Sequence, residues 1–124
     1  PEHVIDTTII REGGMYYRFS ASHDIKIDCG PALLGEFRRV HIPAVEALAG
    51  VEGPECYRLP DGRICLIADR IRENKGYVPV VIDDAAVGLA HRLDDAEFDF
   101  GVHLKRHGGV APITQEAYNG LLQR

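Results

Sequence analysis

What the sequence has little of narrows its chemistry first. Fourteen lysines and arginines face nineteen aspartates and glutamates in 124 residues, a formal charge of −5, and the basic residues form no block. That argues against a nucleic-acid or anionic-membrane partner and favours a neutral or cationic small substrate. The cysteines are only Cys29, Cys56 and Cys65, an odd number, and no Cys-x-x-Cys pair or His/Cys ladder offers a zinc site. Cys56 and Cys65 lie in apolar runs, so buried free thiols are expected, not a disulfide framework, and with them a reducing, cytoplasmic setting. No apolar run approaches the roughly 20 residues of a membrane span, and nothing at the start reads as a signal peptide. The composition, 45% hydrophobic and 27% charged, describes an ordinary globular chain of one small domain.

Strand signals dominate what is present. The run 4–10 is β-branched almost throughout, Gly13-Gly14 turns it, and 15–19 runs back as a hairpin. Residues 24–29 alternate as a third strand, and 36–40 form a short candidate fourth. The stretch 41–50 reads as a helical turn or a loop, with Pro43 at a first helical position and Gly50 as a stop. A second hairpin follows over 56–59 and 63–68, then a strand over 77–82 in which Pro79 argues for an edge or a bulge. Thr114 is a good N-cap for a closing helix that carries Ala117, Tyr118, Leu121 and Leu122 on one stripe. Gly120 weakens that helix by roughly 1 kcal/mol, so packing on the sheets is expected to hold it.

Glu52 stands in Val51-Glu52-Gly53-Pro54, where a loop turns into a buried strand. Gly53 lets the backbone approach a ligand and Pro54 fixes φ, so Glu52 is held at a strand mouth, a placement that suits a catalytic acid. A solvated loop glutamate is the plainer reading of those few residues alone. The two halves of the chain correspond when Gly14 is laid over Gly62. Units of three or four strands recurring at this spacing mark propeller blades, while a plain antiparallel sandwich fits the same pattern. If the first strands of the two units are neighbours, Asp6 and Glu52 share one mouth, and convergent carboxylates point to glycoside hydrolysis.

Several motifs in order strengthen that direction. They are Ile5-Asp6-Thr7-Thr8 with Tyr16-Tyr17-Arg18-Phe19, Leu33-Leu34-Gly35-Glu36-Phe37, Val51-Glu52-Gly53-Pro54, Gly76-Tyr77-Val78-Pro79 with Asp83-Asp84, and the run 106–114 that opens Arg106-His107-Gly108-Gly109. Together they resemble the later blades of glycoside hydrolase family 43, in its arabinofuranosidase and xylosidase branch. The resemblance implies an all-β fold, a partial β-propeller of about two antiparallel blades with a short C-terminal helix. Its units would be 1–50, 51–100 and a closing segment 101–124.

The same resemblance implies an inverting glycosidase that releases arabinofuranosyl or xylosyl residues from plant polysaccharide. Glu52 matches the family's acid and Asp6 the aspartate that tunes it. The family's base aspartate has no match and would fall upstream of Pro1. A base recruited from Asp24, Asp28 or Asp69, a homo-oligomer that completes the site, or a non-catalytic carbohydrate-binding or structural fragment are the ways to account for that. His107 would face the channel and contact substrate or a central calcium ion, although no cofactor is required. Apart from the resemblance, Arg70 and Tyr77 flank the loop after the second hairpin and suit hydroxyl binding and sugar stacking, with solvated surface residues as the plainer reading. The remaining histidines, His3, His23, His41, His91 and His103, read as solvated; Asp83-Asp84 reads as a turn and 94–97 as a solvated loop.

Overall fold

The computed structural model describes residues 4–22 and 24–123, so His3 and His23 lie outside it. Eight strands form two four-stranded antiparallel sheets, each in sequential order. The first holds β1 (Ile5–Glu12), β2 (Met15–Ala21), β3 (Ile25–Gly30) and β4 (Arg38–Arg39), and the second holds β5 (Glu52–Arg58), β6 (Ile64–Asp69), β7 (Tyr77–Asp84) and β8 (Leu89–Arg92). Between them lies α1 (Pro43–Glu46), and α2 (Gln115–Leu122) ends the chain's described part. The all-β expectation therefore holds, but the two sheets close into neither a barrel nor a propeller.

Inward positions of both sheets build one core. Tyr17, Phe19, Ile25 and Ile27 from the first sheet meet Leu66, Val78, Val80 and Ile82 from the second, with Ile42, Val45 and Leu48 of the α1 region filling one side. Cys65, Ile67 and Tyr77 form a smaller cluster on the other face of the second sheet, covered by Tyr57, Leu59 and Phe100. Burial on both faces explains why β6 reads as a continuous apolar run and not as an alternation.

The first strands of the two sheets lie side by side. Thr8 Oγ1 accepts the Cys56 amide at 3.3 Å, a link between β1 and β5. The repeat is also less regular than a single offset describes: Ile10 faces Tyr17, seven positions on, whereas Tyr57 faces Cys65, eight positions on. The second hairpin is thus one residue longer.

Three sequence expectations need correction. Pro79 is neither at an edge nor in a bulge; it sits in β7 between β6 and β8. Its carbonyl accepts Leu93 N–H at 3.1 Å, just past the end of β8, and a residue's N and C=O point to the same side of an antiparallel strand. The missing donor therefore faces the end of a ladder, where little is lost. Asp83-Asp84, read as a turn, are the last two residues of β7, and β8 beyond them, short, mixed and mostly exposed, carried no strand signal. Finally, α2 forms with Thr114 Oγ1 capping Ala117 N–H at 3.1 Å, but none of its residues is buried. Tyr118, Leu121 and Leu122 are exposed, so packing on the sheets does not hold it.

Candidate functional site

β1 and β5 both lose register at their first residues, between Ile5 and Thr7 and between Glu52 and Glu55. Such bulges re-aim side chains at the rim of a sheet. Here they put Asp6 at φ 49 and Gly53 at φ 56, a left-handed conformation that few residues besides glycine adopt without cost. Gly53 N–H then donates to Asp6 Oδ2 at 3.3 Å, tying the two strand mouths together. Asp6 and Glu52, 46 positions apart, come within 4.8 Å of one another through their side-chain oxygens.

The closing segment completes the cluster. His107, itself at φ 46, places Nε2 2.8 Å from Glu52 Oε1 and Nδ1 3.9 Å from Asp6 Oδ2, so the imidazole spans the two carboxylates. Arg106 divides its guanidinium: Nε is 2.6 Å from Asp69 Oδ2 and one terminal nitrogen is 3.3 Å from Glu52 Oε1. Asp69 is 1% exposed, and its second oxygen has no partner among the described residues. The Asp69 carboxylate raises the Arg106 guanidinium further above its usual range. Gly108 N–H donates to the Tyr77 hydroxyl, and Val110 N–H to Glu55 Oε1 at 3.4 Å. Carboxylates, an imidazole and a shared guanidinium at one strand mouth are the parts of an acid–base centre.

The family described as "Probable glycosyl hydrolase domain", related to glycoside hydrolase family 43, matches residues 1–119. The chain belongs to that family. No curated protein and no solved structure matches it.

Within this glycosyl hydrolase domain the other expected site residues fall in different places. Tyr77 is buried, stacks edge-on to Phe100 with ring centroids 5.6 Å apart, and holds Gly108 with its hydroxyl, so it positions the segment that carries His107. Arg70 is not brought to the cluster. Its guanidinium binds Asp95 at 2.7 Å and the carbonyls of Lys75, Gly76 and Tyr77, clamping the loop between β6 and β7. Asp28 is held by Arg18 and Arg39 at 3.0 Å each, and these bonds outweigh its burial and keep its carboxyl below the usual range. Asp24 is exposed in the turn between β2 and β3. His41 pairs with Glu46 and His91 with Asp83, both on the surface.

Asp6, Glu52 and His107 each offer one ligand atom, but calcium takes six to eight oxygens. One donor here is a nitrogen, and the Arg106 cation already occupies the same Glu52 oxygen that binds His107. That donor set does not match calcium. All three cysteines are buried and free, and burial pushes the Cys56 and Cys65 thiols up. Sequence reasoning named Asp69 only as one substitute base and gave Arg106 no role of its own. The available signal was an acid ending the fully apolar β6 run, a position that burial makes costly unless a cation answers it.

Proposed function

We propose that the domain is an inverting glycosidase acting on arabinofuranosyl or xylosyl linkages, with Glu52 as general acid and Asp6 as its modulator. The observation that carries this is the convergence of Asp6, Glu52 and His107 from two strand mouths and the closing segment onto one point. Asp6 stands beside Glu52 as modulator beside acid, and in this reading Glu52 delivers a proton to the leaving oxygen. When Glu52 gives that proton up, Arg106 and His107 meet the new carboxylate charge. The pentose specificity rests on the motifs shared with family 43.

Asp6 is too close to Glu52 to be the base as well. An inverting pair stands about 6.5–9.5 Å apart to hold the attacking water, whereas these oxygens lie within 4.8 Å. Asp28 and Asp69 are committed to arginines. The base is then Asp24 or a carboxylate that a second copy of the chain brings to the site; with neither, the domain binds carbohydrate and does not cleave it. Glu52→Gln decides the acid's role: hydrolysis of substrates with poor leaving groups is lost while activated aryl glycosides are spared. Equal loss on both classes removes Glu52 from that role.

A further inference from the structure

The outward sides of the two sheets carry opposite charge. On the first sheet Ile9 lies opposite Arg18, Arg11 opposite Tyr16, Lys26 opposite Ser20 and Asp28 opposite Arg39, and residues directly opposite in an antiparallel pair share a face. Arg11, Arg18, Lys26 and Arg39 therefore surround Asp28 on one flat side of a chain whose formal charge is −5. Aromatic area underlies that charge. Arg18 stands 4.5 Å from the centre of the Phe37 ring and Arg11 5.8 Å from that of Tyr16, while Ile9 is exposed between them. The loop after β8 is the counterpart. Asp94, Asp95, Glu97 and Asp99 are all exposed there around Phe98, whose ring centroid is 5.6 Å from that of Phe100, and Phe100 packs on the outer cluster of the second sheet. Local bonds shape this acidic strip in advance: Asp95 is held by Arg70 at 2.7 Å, Glu97 Oε2 accepts Asp94 N–H at 2.7 Å, and Asp99 Oδ1 accepts Gly101 N–H at 2.6 Å. Little ordering entropy is left to lose on docking.

We propose that a second copy of the chain covers the basic face of the first sheet, seating its own acidic strip 94–99 on Arg11, Arg18, Lys26 and Arg39. The inward faces of both sheets share one core, so the basic face and the strip look away from each other and no copy can join its own two surfaces. The contact is head-to-tail, and repeated between copies it ends where a ring closes. Charge gives the pairing its direction, since basic face against basic face and strip against strip both repel. A polysaccharide bearing uronic acids is the other polyanion such a face would attract. It offers carboxylates alone, whereas the strip brings Phe98 to meet Ile9 and Tyr16 as well, which favours the second copy. The inference does not depend on the role of Glu52.

Sedimentation velocity of the whole chain over a concentration series, in low and in raised salt, tests the interface. A discrete oligomer should form at low salt and dissociate as salt rises, because screening shortens the reach of exposed charges. The double variant Arg11→Glu with Lys26→Glu should weaken association by about tenfold or more, and so should Asp94→Lys with Glu97→Lys. An equimolar mixture of the two should regain it, since each reversed surface then meets the other reversed surface. Arg11, Asp94 and Glu97 are exposed and Lys26 is half-buried, all outside the cluster at Glu52, so both variants keep the fold, which an unchanged circular dichroism spectrum verifies. A monomer at every concentration overturns the proposal, as does association indifferent to salt and to both variants. Two monomeric variants whose mixture stays monomeric overturn the pairing of these surfaces. If the chain is a monomer whose Arg11 and Lys26 amides shift only when polygalacturonate is added, the polysaccharide is the occupant and the second copy is not.

Discussion

Replacing Gly53 by alanine isolates the bulge that builds the site. The substitution forces a side chain onto a backbone at φ 56, which costs about 1–2 kcal/mol for an L-residue. The new methyl would also lie 3.2 Å from His107 Nδ1 and 3.4 Å from its Cε1. The His107 side chain is 45% exposed, so the ring can retreat by a few tenths of an ångström at little cost to the fold. Its retreat, however, lengthens the 2.8 Å bond to Glu52. Urea unfolding should therefore show a loss of about 1–2 kcal/mol, and the His107 ring resonances should move. Gly120→Ala is the contrast: no atom lies within 4 Å of its added methyl and its φ is not positive. It should raise the helicity of α2 by the propensity difference, about 1 kcal/mol, and leave the global midpoint where it was, since α2 buries nothing. A Gly53→Ala chain with an unchanged midpoint and unmoved His107 resonances would refute the link between bulge and imidazole.

Asp69→Asn keeps the shape of a buried side chain but removes the charge that holds Arg106; it should cost about 1–3 kcal/mol and lower hydrolysis well beyond that of Asp28→Asn, which lies away from the cluster. Rates and urea midpoints of the two variants, side by side, check it. For Asp28 itself the folded state lowers the carboxyl through its hydrogen bonds to Arg18 and Arg39, net of a burial effect that opposes them. A depressed acid stabilises above its unfolded value, about 3.9, and that contribution fades as pH falls through the folded value. Acid unfolding monitored by circular dichroism should therefore be shallower below about pH 4 in Asp28→Asn, and an identical acid limb would exclude Asp28 from it.

Much of the fold was legible because local signals agreed. The Gly13-Gly14 turn, the alternation of 25–29 and the Thr114 cap each point to the element that forms. β8 carried no such signal: Leu89, Ala90, His91 and Arg92 become a strand because β7 offers a free edge, a tertiary cause that no local window contains. Pro79 misled for a related reason, since its cost depends on where the neighbouring strand stops. In the site, Asp6 and Glu52 were legible from strand starts and motif. Arg70 drew attention by type, but its guanidinium turned out to serve the carbonyls of its own loop. Asp69 and Arg106 form a contact between positions 37 apart, which spacing alone does not predict.

The segment that brings Arg106 and His107 has a further consequence. Every described residue from Gly101 to Gln123 is exposed, and the segment's polar contacts with the sheets run to Asp6, Glu52, Glu55, Asp69 and Tyr77. It behaves as a tethered ligand whose effective concentration is set by the chain that leads to it. The β body can stay folded while the tether lets go, because no residue of this stretch belongs to the core. Bringing Arg106 and His107 to Glu52 would then be an equilibrium separate from folding of the sheets. If Glu52 is the acid of a glycosidase, a sugar that touched both His107 and Glu52 would hold this segment on the sheets as it bound, so that substrate binding and assembly of the site would be one event.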